Sequence, residues 1–378
     1  MSKKYCIFIT ALFCAFIGVF LVANAVSPDR TFSQMENRNL EQLPTPSVET
    51  LLSGQFMKDF ETYTTDQFVG RDSWIGLKST TERVLGKREN NSVYFCDKDT
   101  LITRFDQPDS QKVTDNLTYV NNFVENVDIP VTFSLIPTQA CIWADRLPAG
   151  APNASQTDIL TQAQAAVPGA TWADLYTPLW EHKDEDIFYR TDHHWTSLGA
   201  YYGYTGLAEA LGFTPVSLDS YTETVRSTEF YGTVFSSSGV RWVKPDTIST
   251  YVPDTGISVV SHTYDSKGNP VEEPRSLYDT SFLDVKDKYS MFLGGNQSLG
   301  VVKTPNTDKP KLLIIRDSYT DSVVPFLTPH YSEIHLIDLR YYHLSIQDYI
   351  KQNDIDQALV LYSVPNFVTD SNLLWIAR

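Results

Sequence analysis

The stretch "KLLIIRDS", residues 311–318, joins four consecutive aliphatic residues to an abruptly polar end. A short, continuous apolar run of this kind is typical of a strand that is buried on both faces of a parallel sheet. The polar end, Asp317-Ser318, falls where that strand ends, and open parallel sheets carry their chemistry at the carboxyl ends of their strands. The stretch therefore predicts an α/β fold and the sheet edge at which a functional site is expected.

Other segments of the chain repeat this pattern. Three further apolar runs predict strands: "PVTFSLIPT" (130–138), "EIHLIDL" (333–339) and "ALVLYSV" (358–364), with "ATWADLY" (170–176) as a shorter candidate. Helical periodicity covers about 110–127 and 156–166, and another helix lies between the last two strands. Strands that alternate with helices predict a parallel sheet flanked by helices.

Residues 215–305 interrupt this alternation. Segments such as "TVFSSSGVRWV" and "TISTYV" are polar, β-branched and rich in Gly and Ser. They predict an inserted antiparallel, β-rich region beside the sheet.

The N-terminal run, residues 5–26, contains no charged residue and follows Lys3 and Lys4. As a helix it would rise about 33 Å, enough to cross the hydrocarbon core, with the lysines on the cytoplasmic side. This predicts a single-pass membrane anchor with the rest of the chain outside the cell. The alternative is a signal peptide cleaved at Ala23-Asn24-Ala25, which would release a secreted protein.

Between the anchor and the sheet, residues 27–50 contain several prolines and predict a linker, so the main domain is expected over 51–378. Apolar residues at helical spacing follow the linker, in two helices that Gly70 separates. The segments "SVYFC" and "TLITRF" then predict a hairpin around "DKD".

Composition excludes several classes of function. The net charge of −16, with no cluster of basic residues after the N-terminus, argues against nucleic acid as a partner. Neutral or acylated glycans and small molecules remain as partners. The four cysteines show no CxxC or Cys/His ligand spacing, so no zinc site and no cofactor is expected.

The segment "TDHHWT", residues 191–196, places Asp192, His193, His194 and Trp195 side by side. A metal site, a catalytic base or an ordinary helix start would each account for it. Thr196 is a suitable N-cap for a helix that runs to Leu211, with Gly212 just after its last turn. Metal binding is disfavoured because adjacent side chains should diverge and no third ligand has matching spacing.

Asp, His and Ser are also the parts of a nucleophilic triad. The imidazole takes the proton of the serine hydroxyl, and the carboxylate fixes the tautomer of the imidazole. Because a triad is defined by geometry, an Asp and a His that precede the Ser in the chain are compatible with it. The alternative is that the Asp and His belong to a helix cap and that Ser318 caps the next helix.

The chain resembles the DHHW protein family, which takes its name from those four residues. The resemblance rests on "TDHHWT" with the later "IIRDSY", and on the opening segments "ENRNLEQLP", "SGQFMKDFETYTTDQFVGRDSWIGLK" and "LGKRENNSVYF". It covers nearly the whole chain after the anchor. The family is known mainly from exported bacterial proteins and is similar to the periplasmic alginate O-acetylation proteins, which have an SGNH-hydrolase-like domain.

The resemblance implies roles for three residues. The alginate O-acetylation proteins use an Asp-x-His-Trp segment and a later Ser in a Gly-Asp-Ser-like turn. By this correspondence Asp192 is the triad acid, His194 the base and Ser318 the nucleophile. Arg316 departs from the pattern, since SGNH enzymes usually have Gly two residues before the nucleophile.

Other residues are weaker candidates for binding substrate or the oxyanion. Gln139 follows a predicted strand, and Asn296 ends the segment "GGN". Arg340 follows another strand and would bind substrate or form a structural salt bridge. Trp195 would be a sugar platform or a core residue.

Two functions follow from these observations. The first is an exported, membrane-anchored acyl-ester enzyme, an O-acetyltransferase or acetylesterase that acts on an extracellular polysaccharide or an acylated small molecule. The resemblance to the alginate proteins favours transfer, with an acyl-donating membrane protein as partner. The second is a catalytically inactive glycan-binding or scaffold protein of a cell-surface polysaccharide system.

Overall fold

A computed structural model describes residues 2–264 and 270–377 of the chain. The chain divides into two compact units, Met1–Asn90 with Gly239–Trp242, and Asn91–Ser238 with Val243–Arg378. The boundaries given above, a linker over 27–50 and a domain from residue 51, stay predictions.

The first unit is mainly helical. Its elements are α1 (Lys3–Val26), β1 (Phe32–Ser33), β2 (Arg38–Asn39), α2 (Val48–Leu52), α3 (Gln55–Asp66), α4 (Arg71–Val84) and β3 (Glu89–Asn90). The predicted break between the two amphipathic helices is confirmed: Gly70 has a φ of 68°, which favours glycine, and it caps the start of α4.

The helix α1 is the one helix among residues 2–264 and 270–377 that is long and apolar enough to cross a membrane. Its last turns pack within the unit. The ring of Phe20 stacks on Phe68 with centroids 5.6 Å apart, and Asn24 Oδ1 accepts a hydrogen bond of 2.7 Å from the backbone N–H of Val69.

The second unit alternates strands and helices. Its helices are α5 (Ser110–Glu125), α6 (Gln139–Ile142), α7 (Gln156–Ala166), α8 (Tyr176–Glu181), α9 (Ser197–Leu211), α10 (Thr233–Ser238), α11 (Val324–Leu327), α12 (Ile346–Gln352) and α13 (Val364–Thr369). Short 3-10 segments span Ala144–Arg146, Leu218–Ser220, Thr280–Asp284, Lys288–Met291, Ser318–Ser322 and Leu373–Ala377. Its strands are β4 (Val93–Cys96), β5 (Thr100–Thr103), β6 (Val131–Ile136), β7 (Thr171–Trp172), β8 (Thr224–Phe230), β9 (Asp246–Thr250), β10 (Ser258–Tyr264), β11 (Pro270–Arg275), β12 (Leu299–Lys303), β13 (Lys311–Arg316), β14 (Glu333–Ile337) and β15 (Gln357–Ser363).

The central sheet has eight strands in the order β11-β10-β12-β14-β13-β15-β6-β7. Pairing is parallel from β14 to β7 and antiparallel from β14 to β11. The predicted α/β class with a mostly parallel core is therefore confirmed. The strand β13 lies between β14 and β15, and Leu312–Ile315 are fully buried, as the apolar run indicated.

The region 215–305 is β-rich but not uniformly so, and its residues 265–269 lie outside the described part. The strands β8 and β9 form a separate antiparallel pair, whereas β10, β11 and β12 extend the central sheet. The strand predicted from "TVFSSSGVRWV" is wrong for residues 233–238, which form α10. The turn that starts α10 is held by tertiary hydrogen bonds from Gly232 and Thr233, which override the strand propensity of its β-branched residues.

The parallel strands bring several polar residues to one edge of the sheet. Gln139 follows β6, Ser318 follows β13, Asp338 follows β14 and Ser363 ends β15. The helix α9 starts at Ser197, directly after the "TDHHWT" segment. Its predicted caps are confirmed, with Thr196 Oγ1 accepting from the N–H of Gly199 and Gly212 at a φ of 76°.

Candidate active site

Ser318, His194 and Asp192 form one continuous chain of hydrogen bonds. His194 Nε2 lies 2.8 Å from Ser318 Oγ, and His194 Nδ1 lies 2.6 Å from Asp192 Oδ1. A carboxylate accepts from Nδ1–H, which leaves Nε2 as the acceptor for the serine hydroxyl. The arrangement is that of an activated serine nucleophile with its base and its orienting acid.

The acid and the base are positioned by one local loop. Phe188 pairs with Trp195 across it, and Tyr189 N donates to His194 O at 3.2 Å. Asp192 Oδ1 also accepts from the backbone N–H of His194 at 3.0 Å. The carboxylate is therefore fixed by the same residue whose ring it orients.

Ser318 is the first residue of the short helix after β13. Asp317 caps that helix by accepting from Tyr319 N, and its other oxygen, Oδ2, accepts from the N–H and hydroxyl of Ser363 and from Asn366 Nδ2. The N–H of Ser318 has no hydrogen-bond acceptor within the described residues. It is thus a free donor beside the half-buried hydroxyl of the same residue.

The Asp192 carboxylate is buried and surrounded by donors. Thr233 gives Asp192 Oδ2 two hydrogen bonds, from its N–H at 2.7 Å and from its hydroxyl at 2.9 Å. Burial by itself would raise the pKa of Asp192, but His193, His194 and Thr233 together hold it well below its usual range. The acid therefore stays ionised across the physiological pH range.

Tyr289 covers the other side of the site. Its ring lies on the imidazole of His194. Its hydroxyl donates to Ser318 O at 3.1 Å and lies 3.0 Å from Ser322 Oγ. One buried tyrosine thus contacts both the base and the turn that carries the nucleophile.

His193 lies closer to its neighbour than the sequence suggested. Adjacent side chains were expected to diverge, but the rings of His193 and His194 have centroids 3.8 Å apart. The loop curls so that His193 Nδ1 lies 2.7 Å from Thr233 Oγ1. Asp192, His193 and His194 are also close enough to hold a cation. Both ring nitrogens of His194 already form hydrogen bonds, with Asp192 and with Ser318. The geometry therefore fits a hydrogen-bonded triad better than a metal site, which needs a free ring nitrogen.

The four weaker candidates all have partners within the protein. Gln139 Nε2 donates to Tyr189 O and Asp192 O, at 2.5 and 2.7 Å, and so fastens the loop that carries the triad acid. Trp195 is fully buried, and its Nε1 donates to Tyr319 O and Ser322 Oγ. Their roles towards a substrate stay predictions.

The remaining two candidates contact each other. Arg340 Nη2 donates to Asp338 at 2.5 Å and to Asn296 Oδ1 at 3.0 Å. Arg340 and Asp338 form a salt bridge just after β14. A structural salt bridge was one of the two roles that the sequence suggested for Arg340.

Arg316, which stands where SGNH enzymes usually have Gly, points away from solvent. It is the last residue of β13 and is fully buried, with Nη1 2.8 Å from Asp321 Oδ1. Burial raises the pKa of the Asp321 carboxyl to about 7, and Arg316 opposes that rise. The turn at Ser318 therefore forms with a buried ion pair beneath it.

A cavity of about 330 Å³ opens beside the triad. Its walls include His193 and Tyr319, which are chain neighbours of His194 and Ser318, and Thr233, which is hydrogen-bonded to Asp192. The apolar side chains of Phe105, Val234 and Pro365 also line it. Roles for Thr233, Tyr289 and Tyr319 were not predicted from the sequence: no motif marks Thr233 or Tyr289, and Tyr319 was noted only as the end of the segment "IIRDSY".

Comparison with known proteins confirms the resemblance read from the sequence. The model of the DHHW protein family matches residues 154–337, which contain Asp192, His194 and Ser318. The crystal structure of a DHHW family protein from Eubacterium siraeum is 27% identical, covers 76% of this chain and 95% of that one, and superposes with a TM-score of 0.64.

Two further similarities are more distant. The structure of Bacillus cereus PatB1 with a sulfonyl adduct is 18% identical, covers 75% of this chain and 97% of that one, and has a TM-score of 0.61. The probable alginate O-acetylase AlgJ of Pseudomonas syringae is 26% identical over 201 residues, which are 49% of this chain and 48% of that one. The chain thus spans about half the length of this curated relative.

Proposed function

We propose that the protein is an SGNH-hydrolase-like acyl-ester enzyme, an O-acetyltransferase or acetylesterase that acts on a polysaccharide. The observation that carries the proposal is the hydrogen-bond chain from Ser318 Oγ through the imidazole of His194 to Asp192, at 2.8 and 2.6 Å. Such a chain is the minimal apparatus for acyl transfer through a serine ester.

The first half-reaction forms the acyl-enzyme. Ser318 Oγ attacks the carbonyl carbon of the donor ester while His194 Nε2 takes the hydroxyl proton. Asp192 stabilises the resulting imidazolium through Nδ1–H. The free N–H of Ser318 is placed to donate to the oxyanion, and His194 returns its proton to the departing alkoxide.

The second half-reaction resolves the acyl-enzyme. A sugar hydroxyl or water attacks the acyl carbon and gives its proton to His194 Nε2. The bond between the acyl carbon and Ser318 Oγ then breaks, and Oγ recovers that proton. Attack by a sugar gives transfer and attack by water gives hydrolysis, so the two activities share one site.

One comparison supports a polysaccharide substrate, and the cavity beside the triad supports the binding of a small group. The P. syringae relative is described as a probable alginate O-acetylase, although the chain spans only about half of it. The cavity of about 330 Å³ beside the triad lies in the size range of small ligand sites. We propose transfer as the main activity, with an acyl-donating membrane protein as partner.

We further propose that α1 anchors the chain in the cell membrane, with the remaining residues outside the cell. After Lys3 and Lys4 the helix Lys3–Val26 carries no charge, and none of its residues is buried. Protease added to intact protoplasts should then remove everything after the anchor, and protection until lysis would contradict this topology. A mature chain that begins after Ala25 would instead show that the helix is a cleaved signal.

The enzymatic proposal is tested with the full chain in detergent micelles and an activated acetyl ester. We expect a burst of released alcohol, one equivalent per site, and covalent labelling of Ser318 by a sulfonyl fluoride or fluorophosphonate. Ser318→Ala should abolish both, whereas Ser110→Ala, at the exposed start of α5, should keep both. A folded chain that gives neither burst nor label would favour the inactive glycan-binding or scaffold protein.

A further inference from the structure

The hydrogen bonds around Thr233 fix the proton positions on His193. Thr233 has one hydroxyl proton, and its oxygen lies 2.9 Å from Asp192 Oδ2 and 2.7 Å from His193 Nδ1. The ionised Asp192 can only accept, so the hydroxyl proton points to it. Thr233 Oγ1 must then accept from His193 Nδ1–H.

This assignment leaves His193 Nε2 as a bare lone pair. Nε2 has no hydrogen-bond partner within residues 2–264 and 270–377. The ring is held on one edge by Thr233 and on one face by His194, while 38% of its side chain remains exposed. Partial burial and the neighbouring His194 lower the pKa of His193 to about 4, although Asp192 opposes this shift, and the neutral form is favoured.

The free edge of the ring borders the cavity beside the triad. His193 is one of the residues that line the cavity, and its ring lies 3.8 Å from the imidazole that takes the acceptor's proton. A group bound at His193 Nε2 would therefore lie beside His194, the residue that takes the acceptor's proton.

A single hydroxyl cannot serve both histidines, because it has one proton. The reacting hydroxyl must give its proton to His194 Nε2. A hydroxyl on the adjacent carbon can give its own proton to His193 Nε2 at the same time. The two adjacent rings, with centroids 3.8 Å apart and planes inclined by 37°, therefore suit a vicinal diol, the arrangement found along a sugar ring.

We propose that His193 is the acceptor-binding residue of this site and that it selects vicinal diols by accepting a hydrogen bond from the hydroxyl next to the reacting one. The inference rests on the proposed acyl transfer and goes further by naming the acceptor class and the residue that recognises it. His193 takes no proton in the reaction, so its loss should change the choice of acceptor more than the formation of the acyl-enzyme.

The test compares two acceptors that differ by one hydroxyl. The full chain in micelles is acylated with p-nitrophenyl acetate in the presence of cis-1,2-cyclohexanediol or cyclohexanol, and the acetylated products are quantified. The wild type should acetylate the diol about three- to tenfold faster than the mono-alcohol after the statistical factor for two hydroxyls, which is the effect of one neutral hydrogen bond. His193→Phe keeps a ring on His194 but has no acceptor, so the preference should vanish.

Two further variants separate recognition from packing. His193→Gln restores an acceptor oxygen and should recover part of the diol preference, and it also serves if His193→Phe folds poorly. His343→Phe makes the same change outside the cavity, where His343 stacks on Trp375, and should keep the wild-type ratio.

The outcomes distinguish this inference from the proposed function. If the wild type gives no p-nitrophenol burst, the acyl-enzyme proposal fails and the acceptor site fails with it. If the burst occurs but His193→Phe retains the diol preference, or if the wild type shows none, only the role of His193 is overturned. A product ratio in His193→Phe that falls to the statistical value supports it, whatever the size of the burst, because the ratio compares two acceptors for the same acyl-enzyme.

Discussion

The imidazole of His194 lies flat on the ring of Tyr289, with centroids 3.7 Å apart and planes inclined by 6°. The hydroxyl of the same tyrosine donates to the backbone oxygen of Ser318. Tyr289 is buried, so its ring cannot move without repacking its surroundings. It therefore sets the plane of the base relative to the nucleophile, although it is 95 residues from the motif that supplies that base (289 − 194).

Substitution of Tyr289 should separate the stacking from the hydroxyl contact. Tyr289→Phe keeps the ring but leaves Ser318 O without its donor, so we expect a loss of about 1–2 kcal/mol in unfolding free energy and less than about tenfold in kcat/KM. Tyr289→Leu removes the stack, so kcat/KM should fall further and stability by about 2–4 kcal/mol. Activated-ester kinetics measure the change in kcat/KM, and urea unfolding measures the change in stability. Equal activity losses in the two variants would contradict an orienting role for the ring.

The triad residues should fail as a unit. Ser318→Ala and His194→Ala should each lower kcat by at least about 10³-fold, and the double variant should lose no more than either one, because each removes the same step. Asp192→Asn should cost a comparable factor by allowing the wrong imidazole tautomer. Far-ultraviolet circular dichroism would show that the variants are folded. Losses that multiply in the double variant would show that the residues act independently.

Gly232 should tolerate no side chain. A Cβ at this position would lie 2.2 Å from both Cβ and Oδ2 of Asp192, so Gly232→Ala must push the carboxylate away from His194. A displacement of this size should lower kcat by about 10²-fold or more. Gly169→Ala is the matched control, because its Cβ would meet only a methyl group of Val124 at 3.0 Å. Similar values of kcat in Gly232→Ala and Gly169→Ala would contradict the need for the Asp192 carboxylate to be held against His194.

Replacing both members of the buried ion pair Arg316–Asp321 should cost less stability than replacing Arg316 alone. Arg316→Met leaves Asp321 buried without its counter-ion and should cost about 3–5 kcal/mol of unfolding free energy near pH 8. The double variant Arg316→Met/Asp321→Leu should recover most of that loss, since the guanidinium makes no well-aligned hydrogen bond within the described residues. Denaturant unfolding measures this. Lys183→Met, at the partly exposed pair with Asp145, should cost less than about 1 kcal/mol.

Stability should rise with pH across the acidic range. His335 is buried on β14 between Tyr349 and Glu333; burial lowers its pKa to about 4, which Glu333 opposes and Lys311 and Lys303 reinforce. The unfolded histidine titrates near 6.5, so between about pH 4 and 6.5 the unfolded chain binds more protons and unfolding free energy increases with pH. The slope per histidine is at most about 1.4 kcal/mol per pH unit.

The variant His335→Asn has no titrating ring and should show a shallower slope when unfolding is measured from about pH 4.5 to 7.5. Tyr349→Phe removes the partner hydroxyl but keeps the imidazole, so it should lower stability while most of the slope remains. A slope that survives in His335→Asn would place its origin in other groups.

Much of the architecture follows from local patterns. The strands β6, β13, β14 and β15 are continuous apolar runs, and α9 is bounded by a threonine cap and a glycine, as the sequence indicated. Such features depend on a few neighbouring residues, so periodicity and capping rules suffice to find them. The pairing of Asp192 with His194 is also local, since one loop carries both.

The surroundings of the triad depend on contacts between distant segments. Thr233 lies 41 residues from Asp192 and starts a helix in a region whose composition predicts a strand. The burial of Arg316 could not be predicted from its place at the end of β13. The last residue of a strand faces the core or the solvent depending on which distant segments pack against that end of the sheet. The closeness of His193 to His194 likewise arises from the curl of the loop, which no spacing rule encodes.

The order of the strands has a consequence for how the protein is made. Asp192 and His194 are two residues apart, but Ser318 directly follows β13, whose neighbours β14 and β15 both lie later in the chain. A nascent chain that has emerged only as far as Ser322 already contains every residue of the triad and neither strand that holds the nucleophile in place. During synthesis, which proceeds from the N-terminus, β13 therefore lacks both of its sheet neighbours until residue 363 has been added. The turn that carries Ser318 thus gains its supporting strands much later than the loop that carries Asp192 and His194 is made.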